Sequence, residues 1–172
     1  MTHMTTRHRI LDTPTGPFVV MEEASGAIRT GWVDYELQEL LTDSQEDPTL
    51  LPEVVEKLEA YFEGEEVDFS GIPTPTGSEF FQGCWEACRG IPRGETRSYQ
   101  ELAEMAGGKP GSARAAGQAM RRNRLPVIIP CHRVIGADGG LHGFAGTDIR
   151  GSEALGRKEK LLALEGEMVH CA

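Results

Sequence analysis

Pro126-Val127-Ile128-Ile129-Pro130-Cys131-His132-Arg133-Val134-Ile135 brings a cysteine, a histidine and an arginine together at the end of an apolar run. Prolines are tolerated at strand edges and ends, so Val127 to Ile129 is predicted to be a short buried strand ending at Pro130. Such a strand would hold Cys131 fixed and half-buried beside two groups that favour a thiolate. A free thiol has a pKa of about 8.5, which a neighbouring histidine or arginine lowers by several units. The alternative at this point is a core cysteine beside a chance His-Arg pair, since reactivity depends on surroundings that the stretch does not show.

Working outward, the residues upstream alternate helix signals with glycine stops. Ser98-Tyr99-Gln100-Glu101 is a capping box in which Ser98 caps and Glu101 reaches back. It opens a short helix through Leu102 and Met105, ended by Gly107-Gly108. Lys109-Pro110-Gly111 turns the chain toward Ser112, the expected cap of a second helix from Ala113 to about Arg122. Two short helices joined by a glycine-containing turn outline a helix-turn-helix. Small residues on the second helix allow close approach to a groove wall, although they also serve tight helix packing. Phe80, Phe81, Cys84, Trp85 and Cys88 recur at helical spacing just before this region. Cys84 and Cys88, one turn apart, read as core rather than as metal ligands, because no histidine stands near them.

The chain has 172 residues, 39% hydrophobic and 26% charged, which suits one large domain or two small ones. No run of about 18 apolar residues occurs, so no membrane helix is expected. Residues 1–8 carry no apolar signal-peptide core and are expected to be a flexible tail. The four cysteines form no disulfide or zinc pattern, which fits a reducing cytoplasm. The net charge of −10 argues at first against nucleic acid. Its distribution argues otherwise. Residues 1–75 hold 16 acids against Arg7, Arg9, Arg29 and Lys57, a net −12, and the rest of the chain is net +2. Between Glu104 and Asp138 there is no acid, while Lys109, Arg114, Arg121, Arg122, Arg124 and Arg133 all fall there. A basic face of this kind is compatible with DNA, and also with a solvated helix face.

The first half shows no constellation for chemistry and reads as scaffold. His8 to Leu11, Phe18 to Met21 and Ala27 to Val33 are predicted strands, separated by Pro14-Thr15-Gly16-Pro17 and Ala24-Ser25-Gly26. Asp34 is placed as the cap of a short helix to Leu41, Thr42 to Pro48 as an acidic loop, and Pro52 as the opening of a helix ended by Gly64. The expected organisation is a tail at 1–8, a scaffold domain at 9–70, a linker at 71–78 and a second domain at 79–172.

Ser98-Tyr99-Gln100, the stretch Ala113 to Asn123, Ile129 to Ile135, Gly143-Phe144-Ala145-Gly146 and the stretch Lys158 to Gly166 occur in this order. Together they resemble the O6-alkylguanine-DNA alkyltransferases, single-use DNA repair proteins. The resemblance implies an α/β N-terminal ribonuclease-H-like domain and a mainly α C-terminal winged-helix-like domain with a helix-turn-helix. It implies double-stranded DNA with alkylated bases as partner, no cofactor, no obligate protein partner and a monomer. Cys131 would accept the alkyl group in a displacement suited to soft sulfur. By the match, His132 would be the base acting through a water, Glu165 would fix its tautomer, Asn123 would brace the loop, and Tyr99 would donate to the departing base. Arg114 would fill the space left by a flipped base. Ala115, Gln118, Arg121, Arg122 and Arg133 complete the expected DNA-binding set, with Arg124 a further phosphate candidate. Tyr99, Val134, Phe144 and Ala145 would line the alkyl pocket.

Two departures bear on this. Phe144 stands where relatives commonly carry tyrosine, and the link from Gly146 to Arg157 is longer than usual and is read as a loop. No cysteine precedes Cys84, so the zinc site of some relatives is not expected. The competing readings are a non-catalytic sensor of alkylated bases, a cysteine hydrolase and a transcription factor. Cys131 argues against the sensor, the missing oxyanion hole against the hydrolase, and the lack of further domains against the last.

Overall fold

The computed structural model describes residues 5–33, 35–137 and 152–166, with the side chains of 35, 36 and 152–155 left aside. The chain divides into two compact units, Met1–Gly71 and Ile72–Ala172. In the first, β1 (Arg7–Leu11), β2 (Phe18–Glu22) and β3 (Ile28–Trp32) form an antiparallel meander. Gly16 and Gly26 supply the positive φ that the two tight connections need. Phe18 to Met21 are all buried, as expected of the inner strand of the meander. Helix α1 (Tyr35–Thr42) follows, and α2 (Pro52–Phe62) starts at a proline, whose missing N–H costs nothing in a first turn. Val54, Val55, Leu58, Tyr61 and Phe62 of α2 are buried, and the Phe62 ring meets Phe18 edge-on at 5.3 Å, laying the helix on the sheet.

The expected acidic loop from Thr42 to Pro48 contains a strand. β4 (Gln45–Glu46) pairs in parallel with β1 and gives the order β3-β2-β1-β4. Both its side chains are exposed, so no apolar pattern announces it. Backbone bonds make it, from the Gln45 amide to the Thr6 carbonyl and the Asp47 amide to the His8 carbonyl. Asp34, the expected helix cap, lies outside the described residues.

In the second unit, Ser78 caps α3 (Glu79–Arg89) by accepting from the Phe81 amide. The expected linker is not free chain throughout. Arg89 holds the Ile72 carbonyl and Thr74 Oγ1, and Gly77 lies so close to the Trp85 ring that a Cβ would stand 2.7 Å from it. The capping box forms as read, with both Ser98–Glu101 bonds at 3.1 Å, and starts α4 (Tyr99–Met105). Helix α5 (Ala113–Arg121) follows the glycine turn. Ser112 does not cap it through its side chain. Its φ of −81° and ψ of 5° are not the extended geometry that aims a capping oxygen at the first-turn amides. Small Ala116 and Ala119 are buried on α5, and the Trp85 indole N–H from α3 donates to the Ala119 carbonyl at 2.8 Å.

The predicted strand at Val127–Ile129 is a turn. Only an isolated bridge joins Pro126 to Ile129, and Val127 takes a φ of 75°. The chain then enters a single 3₁₀ turn, Cys131–Arg133, and β6 (Val134–Ile135), which runs parallel to β5 (Arg97–Ser98). Helix α6 (Ser152–Leu164) begins within the link read as a loop, so residues 152–157 are helical. No helix among the described residues is long and apolar enough to cross a membrane.

Candidate active site

Asn123 explains why the apolar run turns instead of extending. Its side-chain amide donates to the Ile129 carbonyl at 2.9 Å, and its Oδ1 accepts the Leu125 amide at 2.8 Å. The Ile129 amide also bonds the Leu125 carbonyl. These bonds hold a β-branched residue in a left-handed conformation, a costly state that persists only where the surroundings over-determine it. The reward is placement. Cys131 opens the 3₁₀ turn with 3% exposure, more buried than the half-buried position read from sequence, and His132 is fully buried beside it.

His132 Nε2 lies 2.7 Å from Glu165 Oε2. A carboxylate only accepts, so the imidazole donates from Nε2 and its Nδ1 carries the lone pair. Among the described residues Nδ1 makes no hydrogen bond. Burial lowers the His132 pKa below the ordinary value of 6.5, against the opposing pull of Glu165. A neutral imidazole with a fixed tautomer is a base, not a charge.

Arg133 does not point outward to phosphate. Its Nε and Nη2 grip the two oxygens of Glu165 at 2.8 and 3.0 Å, and its Nη1 donates to the Ile91 carbonyl at 2.6 Å. The expected DNA contact is therefore corrected to an internal brace. A buried carboxylate needs such a partner, and the arginine fork fits it on two sides.

One residue of the site escaped the sequence reading. Lys158 is 1% exposed, donates from Nζ to the Val134 carbonyl at 2.6 Å, and lies over the Tyr99 ring at 5.8 Å. Burial pulls its pKa from 10.5 to about 8, while Cys131 and Cys88 push it back up. The signal was present: Lys158, Leu161, Leu162 and Glu165 are all buried and fall at i, i+3, i+4 and i+7 on α6 and its end. One helix face thus delivers a cation to Val134 and an anion to His132.

Tyr99 begins α4, and burial raises its phenol to about 12, so it stays protonated as a donor. Its ring edge lies against Gly117 of α5, 3.8 Å from where a Cβ would stand. Arg114, Ala115, Gln118 and Arg121 are exposed on α5, and Arg122 is exposed at its C-cap. Arg122 also covers the Phe81 ring at 5.5 Å, and Arg124 is exposed beyond the helix. Val134 is fully buried, while Phe144 and Ala145 lie outside the described residues. Cys84 and Cys88 are buried free thiols, and no group of three metal-ligating side chains occurs among the described residues.

A buried thiol next to a neutral histidine, in a unit whose helix α5 exposes basic and small residues, is the site that the comparisons with known proteins address. Residues 79–167 match the 6-O-methylguanine DNA methyltransferase DNA-binding domain, and residues 6–76 match the ribonuclease-like domain of the same family. A methylated-DNA–protein-cysteine methyltransferase of Mycobacterium leprae is 40% identical over 161 residues, covering 94% of this chain and 93% of its own. The Methanosarcina acetivorans protein of the same name is 39% identical, covering 92% and 97%. A crystal structure of Mycobacterium tuberculosis OGT in complex with DNA superposes with a TM-score of 0.77 at 37% identity, covering 92% of both chains. The chain belongs to the 6-O-methylguanine DNA methyltransferase family.

Proposed function

We propose that this chain repairs DNA by direct transfer of an alkyl group from O6-alkylguanine, and from O4-alkylthymine, to Cys131, once per molecule. The observation that carries the reading is the 2.7 Å bond from His132 Nε2 to Glu165, which fixes the lone pair on Nδ1 of the residue next to the cysteine. Cys131 gives its proton through a water to that nitrogen. The sulfur then attacks the alkyl carbon, an S–C bond forms, and the C–O6 bond breaks with its electron pair leaving on the base. Tyr99, a half-buried phenol held protonated, donates to the departing guanine and offsets its developing charge. Lys158 places a cation beside the same pocket, which favours the thiolate over the thiol. The product thioether offers water no easy leaving group, so the reaction ends there.

The DNA is double-stranded and the target base is flipped out, a step costing a few kcal/mol. The exposed stripe Arg114, Ala115, Gln118, Arg121 and Arg122 on α5 supports a groove-facing role, with Arg114 taking the vacated space. Val134, Phe144 and Ala145 border the alkyl group together with Tyr99. The parallel pairing of β4 with β1 beside an antiparallel meander supports a ribonuclease-H-like first domain, and the α4–α5 pair a winged-helix-like second one. The buried free thiols support a reduced, cytoplasmic setting, and the protein acts as a monomer in this reading. The test is intact-protein mass after mixing with a duplex bearing one O6-methylguanine. The expected result is one added methyl per chain, absent from Cys131→Ala. Lesion binding without a mass shift would replace this function with that of a sensor.

A further inference from the structure

Glu165 lies one residue beyond the end of α6, where the chain leaves the helix through Gly166 at a φ of 87°. The last carbonyls of a helix have no intrahelical partner, and its end frays unless something holds it. Here the turn after α3 holds it. Arg93 Nη2 donates to the Leu164 carbonyl at 2.9 Å, across 71 residues of sequence. Two residues earlier, the Ile91 carbonyl receives Arg133, the residue that grips the Glu165 carboxylate. Gly94, at a φ of 81°, brings the backbone so near that a Cβ there would stand 3.6 Å from the Glu165 carbonyl oxygen. The turn itself is fixed, with Ile91 buried, its amide bonded to the Cys88 carbonyl, and the Glu95 amide bonded to the Pro92 carbonyl.

We propose that Arg93 is a positioning residue for alkyl transfer, pinning the end of α6 so that Glu165 stays within reach of His132 Nε2. The inference rests on the His132–Glu165 relay described above. The Arg93 guanidinium acts on the backbone one residue before the carboxylate, and Arg133 acts on the carboxylate itself while bonding the same turn at Ile91. Loss of the first contact lets the helix end drift, and a misplacement of about 1 Å in a catalytic constellation costs up to about a hundredfold in rate.

The test compares full-length wild type, Arg93→Ala, Arg93→Lys and Glu165→Gln in single-turnover transfer from an O6-methylguanine duplex. Duplex affinity and the proton NMR signal of His132 Nε2–H are recorded alongside. Arg93→Ala is expected to slow transfer at saturating duplex about tenfold, to leave affinity unchanged, and to shift or broaden the His132 signal. Arg93→Lys is expected to recover part of both, and added guanidinium ion to speed the alanine variant. A wild-type rate and signal in Arg93→Ala would overturn the proposal, even with a lowered Tm. Lost affinity with an unchanged saturated rate would also overturn it, making Arg93 a DNA contact. A wild-type rate in Glu165→Gln would sink the relay itself, whereas a slow Glu165→Gln beside a normal Arg93→Ala would sink only the role given to Arg93.

Discussion

Replacing Arg133 with alanine separates two accounts of a basic residue next to the nucleophile. If Arg133 contacts phosphate, its loss weakens DNA binding and lowers the salt slope by about one, with little effect on stability. The structure says otherwise. The Glu165 side chain is fully buried, that of Arg133 is 13% exposed, and the pair is bidentate. Removing one partner of a buried pair costs about 3–5 kcal/mol, because the remaining charge keeps its desolvation penalty without its counter-ion. An exposed pair costs about 0–1 kcal/mol. Urea denaturation of Arg133→Ala is therefore expected to show a loss of about 3–5 kcal/mol in the transition of the second unit. Arg133→Ala combined with Glu165→Gln should lose less than Arg133→Ala alone, since the stranded charge is gone. The coupling between the sites is expected at about 2 kcal/mol. A loss under about 1 kcal/mol, or additive effects, would refute the buried-brace account.

Three further predictions test the surroundings of Cys131. Val127→Gly should be more stable than Val127→Ala by about 1 kcal/mol, the reverse of the usual order, because only the alanine keeps a Cβ at a φ of 75°; thermal unfolding of the pair decides it. His132 stays neutral when folded, its pKa lowered from 6.5, so the unfolded chain binds the extra proton first as pH falls. Stability should therefore be full above about pH 6.5 and fall below it by up to about 1.4 kcal/mol per pH unit until the folded pKa is reached, and His132→Gln should flatten that fall. Lys158, lowered from 10.5 to about 8, charges more readily in the unfolded chain, so its burial costs about 3 kcal/mol at neutral pH and progressively less from pH 8 to 10.5. Lys158→Met should remove that rise from the pH–stability curve while slowing alkyl transfer, and an unchanged curve would refute the buried-charge account.

What the sequence showed and hid follows from where the information sits. Ser98 and Glu101 are legible because a capping box is local, four residues that satisfy one another. The strands of the meander show in their apolar runs and glycine turns. β4 is silent because its pairing is backbone to backbone and both its side chains are exposed. The run Val127–Ile129 misleads because an apolar stretch looks alike in a strand and in a buried turn, and the deciding bonds come from Asn123. Arg133 reads as a DNA contact in sequence because charge suggests surface, and only the fold reveals a buried carboxylate 32 residues away. Lys158 is hidden for the same reason, although its spacing with Leu161, Leu162 and Glu165 marks a buried face. Cys131, His132 and Glu165 are legible as a set only through the family pattern, because nothing local ties residue 132 to residue 165.

The chain's two tryptophans fall one to each unit, Trp32 in β3 and Trp85 in α3. The Trp85 indole N–H bonds to the Ala119 carbonyl at the back of α5, whose front carries the exposed stripe. Its emission is therefore an optical gauge of how that helix is seated, present without any label. Trp32, whose indole bonds to Thr15, serves as the internal standard. A stopped-flow trace on the unmodified protein can follow the helix as it meets a duplex, in the same cuvette and on the same molecules whose methyl uptake is then weighed.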